Sequence, residues 1–125
     1  MSDELELSSR EMIQIVLDRI RAFAPRHEPH RTSSYVGLER DGRVDNFIVL
    51  RPRKYGVRMD LRLPPEEPAI RALEGFGVTV YDHRPYGAGP GFHPVEVRPC
   101  DLMEHLAWFG LLLEKAYRTS SRYAE

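Results

Sequence analysis

The spacing of apolar residues changes along this chain, and each spacing predicts a different element. Between residues 12 and 24, apolar residues recur every three or four positions, which predicts an amphipathic helix. Ser8 and Glu11 have the spacing of a capping box at its start, and Pro25 ends it. The polar segment 25–34 that follows is predicted to be a loop.

A second long helical pattern lies near the C-terminal end of the chain. It opens at Asp101, where Glu104 completes another capping box, and it runs to about Arg118. Three apolar residues lie off its main stripe: Met103, Trp108 and Leu111. Because one packed face does not account for them, a homodimer or another protein interaction through Trp108 and Leu111 is one hypothesis for function.

Alternation of apolar and polar residues predicts strands in the middle of the chain. Five segments carry it: Tyr35–Arg40, Val44–Arg51, Val57–Leu63, Val78–Tyr81 and Val95–Arg98. A short helix from Pro64 to about Glu74 connects the third strand to the fourth. These elements predict a single α+β domain with a mainly antiparallel sheet of roughly five strands, with the N- and C-terminal helices packed on one face.

The register of the two hairpins is predicted from the pairing that buries apolar side chains on one face. A three-residue loop at 41–43 sets Arg40 opposite Val44. A two-residue turn at Tyr55-Gly56 gives the second hairpin the same buried face. Phe47 and Val49 are then expected on the opposite face.

That opposite face is basic. Five side chains form its predicted nucleic-acid-binding surface: Arg51, Arg53, Lys54, Arg58 and Arg62. Arg53 is expected opposite Arg58, and a like-charged pair across a ladder costs stability unless salt or an anion screens it. The planar guanidinium fork also suits phosphate oxygens, so we predict nucleic acid or another anionic partner.

Two other interpretations of the basic face remain open. The arginines could serve only to solvate the outer side of a one-sided sheet. Alternatively, Phe47 and Val49 could pack under a helix, with the arginines around its edge. The sequence does not separate these interpretations from binding.

The loop 82–94 is a second candidate site because it combines glycines with polar side chains. Its glycines allow a ligand to approach the backbone, and its polar groups could contact that ligand: His83, Arg84, Tyr86 and His93. A small-ligand-binding protein or an enzyme acting at this loop is therefore the alternative function. No Gly-Lys-Ser/Thr follows the loop, so a P-loop is not predicted.

Composition limits the class of protein further. The chain has 125 residues and a formal net charge of -1, which fits one domain over 1–125, with flexible ends expected at 1–7 and 119–125. Cys100 is the single cysteine, so we expect no internal disulfide, no cysteine-based metal site and a cytoplasmic location. No targeting signal or membrane-spanning run is recognised.

Catalytic motifs give no positive indication. The zinc-helix, nucleophile-elbow and dinucleotide-binding patterns are missing from the sequence, so no catalytic residue, metal or cofactor is predicted. The leading prediction is accordingly a non-enzymatic binding module.

Three groups of residues carry a family resemblance over about residues 30–118. They are Asn46-Phe47 with 51–54 and the alternating run 57–63, Tyr86-Gly87-Ala88-Gly89 before 95–97, and Asp101-Leu102 with 115–117. Together they resemble an uncharacterised bacterial domain sometimes labelled a predicted transport protein, found alone or C-terminal to restriction-nuclease-like modules. The resemblance implies no catalytic residues. We do not carry over the transport label, because the sequence lacks a membrane-spanning run.

Overall fold

The computed structural model describes residues 7–85, 87 and 89–124, and in this part of the chain it contains seven strands and four helices. In chain order the elements are α1 (Ser9–Phe23), β1 (His27–Arg31), β2 (Val36–Arg40), β3 (Arg43–Val44), β4 (Ile48–Arg53), β5 (Gly56–Leu61), α2 (Pro68–Gly75), β6 (Thr79–Val80), β7 (His93–Val97), α3 (Pro99–Glu104) and α4 (Leu106–Ala124). The flexible ends predicted at 1–7 and 119–125 lie partly outside the described residues. In the described part of the C-terminal end, α4 continues to Ala124.

The strands form one open antiparallel sheet. Its order is β1-β2-β4-β5-β7-β6, with β3 paired to the end of β2. The predicted α+β class and antiparallel sheet are confirmed. The sheet has seven strands, however, where roughly five were expected.

The first additional strand is β1, which occupies the segment predicted as a loop. It pairs with β2 along its whole length, from His27 opposite Arg40 to Arg31 opposite Val36. β1 lies at the edge of the sheet, and Pro29 is tolerated there because an edge strand leaves one row of N–H groups unpaired. Its lack of an apolar alternation explains why the sequence pattern missed it.

The second additional strand arises because the predicted strand Val44–Arg51 is interrupted. The hairpin turns through two residues, Asp41 and Gly42, whose φ angles are 53° and 79°, so Arg40 pairs with Arg43. The predicted three-residue loop is therefore wrong. After β3, residues 45–47 interrupt the regular pairing with β2, although the Asp45 N–H still bonds to the carbonyl oxygen of Leu38 at 3.0 Å. Regular pairing resumes with Val36 opposite Leu50.

This interruption changes the position of Phe47. Neighbouring residues of a regular strand point to opposite faces of the sheet, so strict alternation would not place both Phe47 and Ile48 in one core. The two side chains are nevertheless only 1% and 0% exposed. Phe47 packs among the rings of Phe23, His27 and Tyr117, with centroid distances of 5.2–6.2 Å. The expectation that Phe47 lies on the basic face is therefore wrong. Val49, in contrast, does lie on that face.

The hairpin between β4 and β5 turns at Lys54 and Tyr55, one residue before the predicted turn. Arg53 therefore pairs with Gly56, and Leu50 lies opposite Met59. Moving the turn by one residue shifts the register by two positions, which leaves each side chain on its predicted face.

The helices pack on one face of this sheet. Helix α1 contacts β4, β5 and α4, and α4 also contacts β4. Their apolar stripes meet the buried side chains of the central strands in a single core, whose members include Met12, Val16, Ile20, Ile48, Leu50, Met59, Leu61, Phe109 and Leu113. The residues that alternate with those of β4 and β5 point to the other face, where the candidate site lies.

The predicted last helix is two helices with a break at His105. The first, α3, begins after Arg98, with Pro99 at its first position, so Asp101 is its third residue rather than its cap. Buried Asp101 accepts hydrogen bonds from the backbone N–H of Arg98 at 2.9 Å and from its Nη2 at 3.0 Å. Helix α3 thus begins earlier than predicted. Helix α2, in contrast, begins later than predicted, after the cap residue Glu67.

Candidate anion-binding face

A concavity of about 570 Å³ opens on the sheet face opposite the core. We call it the arginine pocket. Its walls come from β4 and β5, from the residues just before β2 and just after β5, from the end of β3 with the segment that follows it, and from the loop between β6 and β7. The lining includes Tyr35, Asp45, Asn46, Val49, Arg51, Arg58, Asp60, Arg62, Arg84 and Phe92. Four arginines against two aspartates give the pocket an excess of positive charge.

Asp60 organises the centre of the pocket. Its carboxylate accepts hydrogen bonds from Arg58 Nε at 2.9 Å and from Arg51 Nε at 3.2 Å. Arg51 and Arg58 lie directly opposite each other across the β4–β5 ladder. The predicted pairing of Arg53 with Arg58 is therefore wrong, and the like-charged pair is Arg51 with Arg58. One carboxylate between the two guanidinium groups reduces their repulsion and holds their orientation.

Aromatic rings support three arginines of this face. The guanidinium carbon lies 5.4 Å from the Tyr35 ring for Arg51, 5.8 Å from the Tyr81 ring for Arg58, and 5.8 Å from the Phe92 ring for Arg62. These distances are within the range of cation–π attraction. The arginine side chains are therefore held against the sheet by neighbouring rings as well as by ion pairs.

Arg53 and Lys54 lie outside the pocket, at the end of the β4–β5 hairpin. Arg53 Nε is 3.4 Å from a carboxylate oxygen of Glu96, and Lys54 Nζ is 5.3 Å from the Tyr55 ring centroid. Both line a separate shallow hollow of about 310 Å³. Of the five predicted binding residues, Arg51, Arg58 and Arg62 thus line the pocket, and Arg53 and Lys54 extend the basic surface beyond it.

Two of the predicted loop residues, His83 and His93, lie against backbone carbonyl groups of the segment after β5. His83 Nε2 lies 3.0 Å from the carbonyl oxygen of Leu63, and His93 Nε2 lies 2.9 Å from that of Pro64. The two imidazole rings pack with centroids 4.5 Å apart, and burial lowers the pKa of His93. Both histidines therefore tie the loop to the segment after β5.

The other two predicted loop residues have different outcomes. Arg84 lines the arginine pocket, so the structure joins it to the basic face instead of to the histidines. Tyr86 lies outside the described residues.

The residues of the pocket differ in how far the sequence predicts them. Asp60 alternates with Arg58 and Arg62 on one strand, which predicts its place on the basic face. Asn46 and Phe92 had no such signal, since they reach the pocket through the irregular segment after β3 and through the loop before β7.

The described part of the chain contains no group of three or more His, Cys, Asp or Glu side chains placed to hold a metal ion. It also contains no helix that is both long and apolar enough to cross a membrane. At the predicted dimer surface, Trp108 packs edge-on against Phe76, with ring centroids 5.1 Å apart, whereas Leu111 is 69% exposed.

No protein-family model, no curated protein and no solved structure matches this chain. The resemblance to the uncharacterised bacterial family therefore stays a prediction that rests on the residues quoted for it.

Proposed function

We propose that this protein is a non-enzymatic module that binds single-stranded nucleic acid through the basic face of its sheet. The observation that carries the proposal is the arginine pocket, where four arginines meet in a concavity of about 570 Å³ on the face opposite the core. Arginine at such a surface contributes both charge and a planar group that stacks on bases.

The shape of the face favours a single strand over a duplex. Bases of a single strand can leave the stack and enter a concavity, where aromatic and guanidinium planes contact them. Tyr35 and Phe92 line the pocket, each beneath an arginine. Paired bases of a duplex stay stacked inside the helix, so their planar faces are closed to this pocket.

The basic surface is also long enough for several phosphates. Arg51 and Arg53 alternate on one strand, so their attachment points lie about 6.6 Å apart. Lys54 extends the charge at the hairpin end, and Arg62 and Arg84 extend it at the pocket end. A strand that crosses β4 and β5 would meet basic groups along its path.

The test measures binding of a labelled oligonucleotide of about 8 nucleotides by fluorescence anisotropy across a salt series. The variant Arg53→Glu/Lys54→Glu alters two exposed groups of the face, and Arg21→Glu/Arg71→Glu makes the same charge change on exposed helix positions as a matched control. We expect the logarithm of the affinity to fall with the logarithm of salt concentration. The face variant should flatten that slope by roughly 0.7 for each phosphate that it no longer neutralises.

Two results would refute the proposal. One is the absence of salt-dependent binding by the unaltered protein. The other is an equal loss of affinity in the face variant and the helix variant, because binding would then respond to total charge and not to this surface.

A small anionic ligand is the second candidate. The pocket volume of about 570 Å³ falls within the range of small-molecule sites, and Arg84 lines it. Binding of a mononucleotide without measurable binding of an oligonucleotide would favour this alternative.

A further inference from the structure

The uncompensated charge of the arginine pocket lies at one end of it. Arg51 and Arg58 share the carboxylate of Asp60. In contrast, neither Arg62 nor Arg84 forms an ion pair with any residue in the described part of the chain. An anion that entered the pocket would therefore gain most from this second pair of arginines.

Arg62 is held in place but lacks hydrogen-bond partners for part of its guanidinium group. Its Nη1 donates a long hydrogen bond of 3.4 Å to the carbonyl oxygen of Asn46. Its Nε is buried and has no hydrogen-bond partner among the described atoms. The buried Nε is closed to a ligand, so an anion in the pocket would bind the terminal nitrogens of Arg62 and offset part of the cost of burying this charge.

Arg84 comes to the same end of the pocket from a different part of the chain. Its backbone N–H and carbonyl both bond to the backbone of Phe92, at 2.8 and 2.9 Å. The ring of Phe92 is the one beneath the Arg62 guanidinium. The Arg84 side chain itself is exposed, so it is available to a ligand without any rearrangement of this backbone bridge.

We infer that the Arg62–Arg84 end of the pocket binds a phosphate monoester, and specifically the terminal phosphate of a single strand. The inference rests on the proposed function and deepens it. A terminal phosphate carries close to two negative charges at neutral pH and has three acceptor oxygens, whereas an internal phosphodiester carries one charge. Two guanidinium forks without carboxylate partners match the terminal group better.

The size of the pocket is consistent with this assignment. Its volume of about 570 Å³ accommodates a terminal nucleotide in addition to the phosphate group. With the phosphate at Arg62 and Arg84, the base would lie toward Tyr35 and Val49, where an aromatic ring and an apolar side chain line the wall. The rest of the strand would then leave along Arg53 and Lys54.

The experiment compares oligonucleotides of about 8 nucleotides that differ only in a terminal phosphate, at the 5′ end in one pair and at the 3′ end in another. The label occupies the opposite end, and anisotropy is measured with the full chain. We expect one phosphorylated end to bind about tenfold more tightly than its hydroxyl counterpart, equivalent to roughly 1.4 kcal/mol. Arg84→Gln should abolish that preference.

The matched control is Arg53→Gln, which removes the same charge from the same face but outside the pocket. It should weaken both members of each pair equally and keep the preference. Thermal unfolding of each variant checks that the fold is retained. A preference that survives in Arg84→Gln, or one that disappears equally in Arg53→Gln, overturns the assignment.

A second comparison separates this inference from the proposed function. If the unaltered protein binds all oligonucleotides equally, the terminal-phosphate site is wrong and nucleic-acid binding stands. If no oligonucleotide binds, but adenosine monophosphate binds in an Arg84-dependent manner and adenosine does not, the phosphate site stands and the proposed function is wrong. If none of these ligands binds, both are wrong.

Discussion

The substitution Asp60→Asn tests how the basic face is held together. Asp60 accepts hydrogen bonds from Arg51 and Arg58, which face each other across the ladder. Asparagine preserves the size of the side chain but removes its charge. The two guanidinium groups would then lie opposite each other without a carboxylate between them, so we expect the variant to be less stable.

The exposure of the three side chains sets the magnitude. Asp60 is 11% exposed and Arg58 is 17% exposed, whereas Arg51 is 39% exposed. Breaking a fully buried ion pair costs about 3–5 kcal/mol, and an exposed pair contributes about 0–1 kcal/mol. An intermediate loss of about 2 kcal/mol is therefore expected, which lowers the melting temperature by roughly 8 °C for a chain of this size.

The assay is urea and thermal unfolding followed by circular dichroism, with Asp41→Asn as the control. Asp41 also pairs with an arginine, Arg26, but these side chains are 64% and 72% exposed, so the control should change stability by less than about 0.5 kcal/mol. Salt should reduce the defect of Asp60→Asn, since it screens the exposed part of the repulsion. Equal stability of the two variants would show that Asp60 does not hold this face together.

Three further outcomes are expected. Gly56→Ala should destabilise the fold by about 3 kcal/mol in urea unfolding, because a Cβ there would overlap the backbone carbonyl oxygen of Val97. A Cβ at Gly75 would have nothing within 4 Å, so Gly75→Ala should be neutral or stabilising, and equal effects of the two substitutions would refute this packing argument. Burial lowers the pKa of His93, so the unfolded chain binds the proton more readily and the stability of the fold should fall as pH drops below about 6.5. His93→Gln should lessen that fall, and an unchanged pH profile of unfolding in this variant would contradict the expectation. Leu111→Glu should leave monomer stability unchanged but dissociate any dimer formed through α4 in sedimentation measurements; a dimer that persists would exclude this surface.

The helices show which sequence signals suffice. The start of α1 could be predicted to the residue, because Ser8 and Glu11 form both hydrogen bonds of the capping box. The same type of pattern, read at Asp101 and Glu104, placed the cap of the last helix at Asp101, three residues after the observed cap residue Arg98. Asp101 accepts the backbone N–H of Arg98, which is the role of the third residue in a capping box. Pro99 was the signal for the earlier start, since proline favours the first helical position.

The strands show what alternation can and cannot decide. The face of each β4 and β5 residue was predictable despite a misplaced turn, because the resulting register shift is two positions. The position of Phe47 was not predictable, since residues 45–47 interrupt the regular pairing with β2 and no local pattern marks that interruption. The pocket depends on this interruption, because Asp45 and Asn46 belong to its lining.

The same geometry bears on the choice between a binding face and a solvated one. Arginines that only solvate a sheet extend into water and need no fixed partners. Here Arg58 is 17% exposed, and Arg62 buries an Nε that has no described hydrogen-bond partner. Burial of this kind costs free energy that full solvation would avoid. A phosphate at the terminal nitrogens of Arg62 would offset part of that cost, whereas Arg58 already has the carboxylate of Asp60. Arg62 therefore favours binding, and the greatest loss of terminal-phosphate preference is expected from substitutions at Arg62 and Arg84.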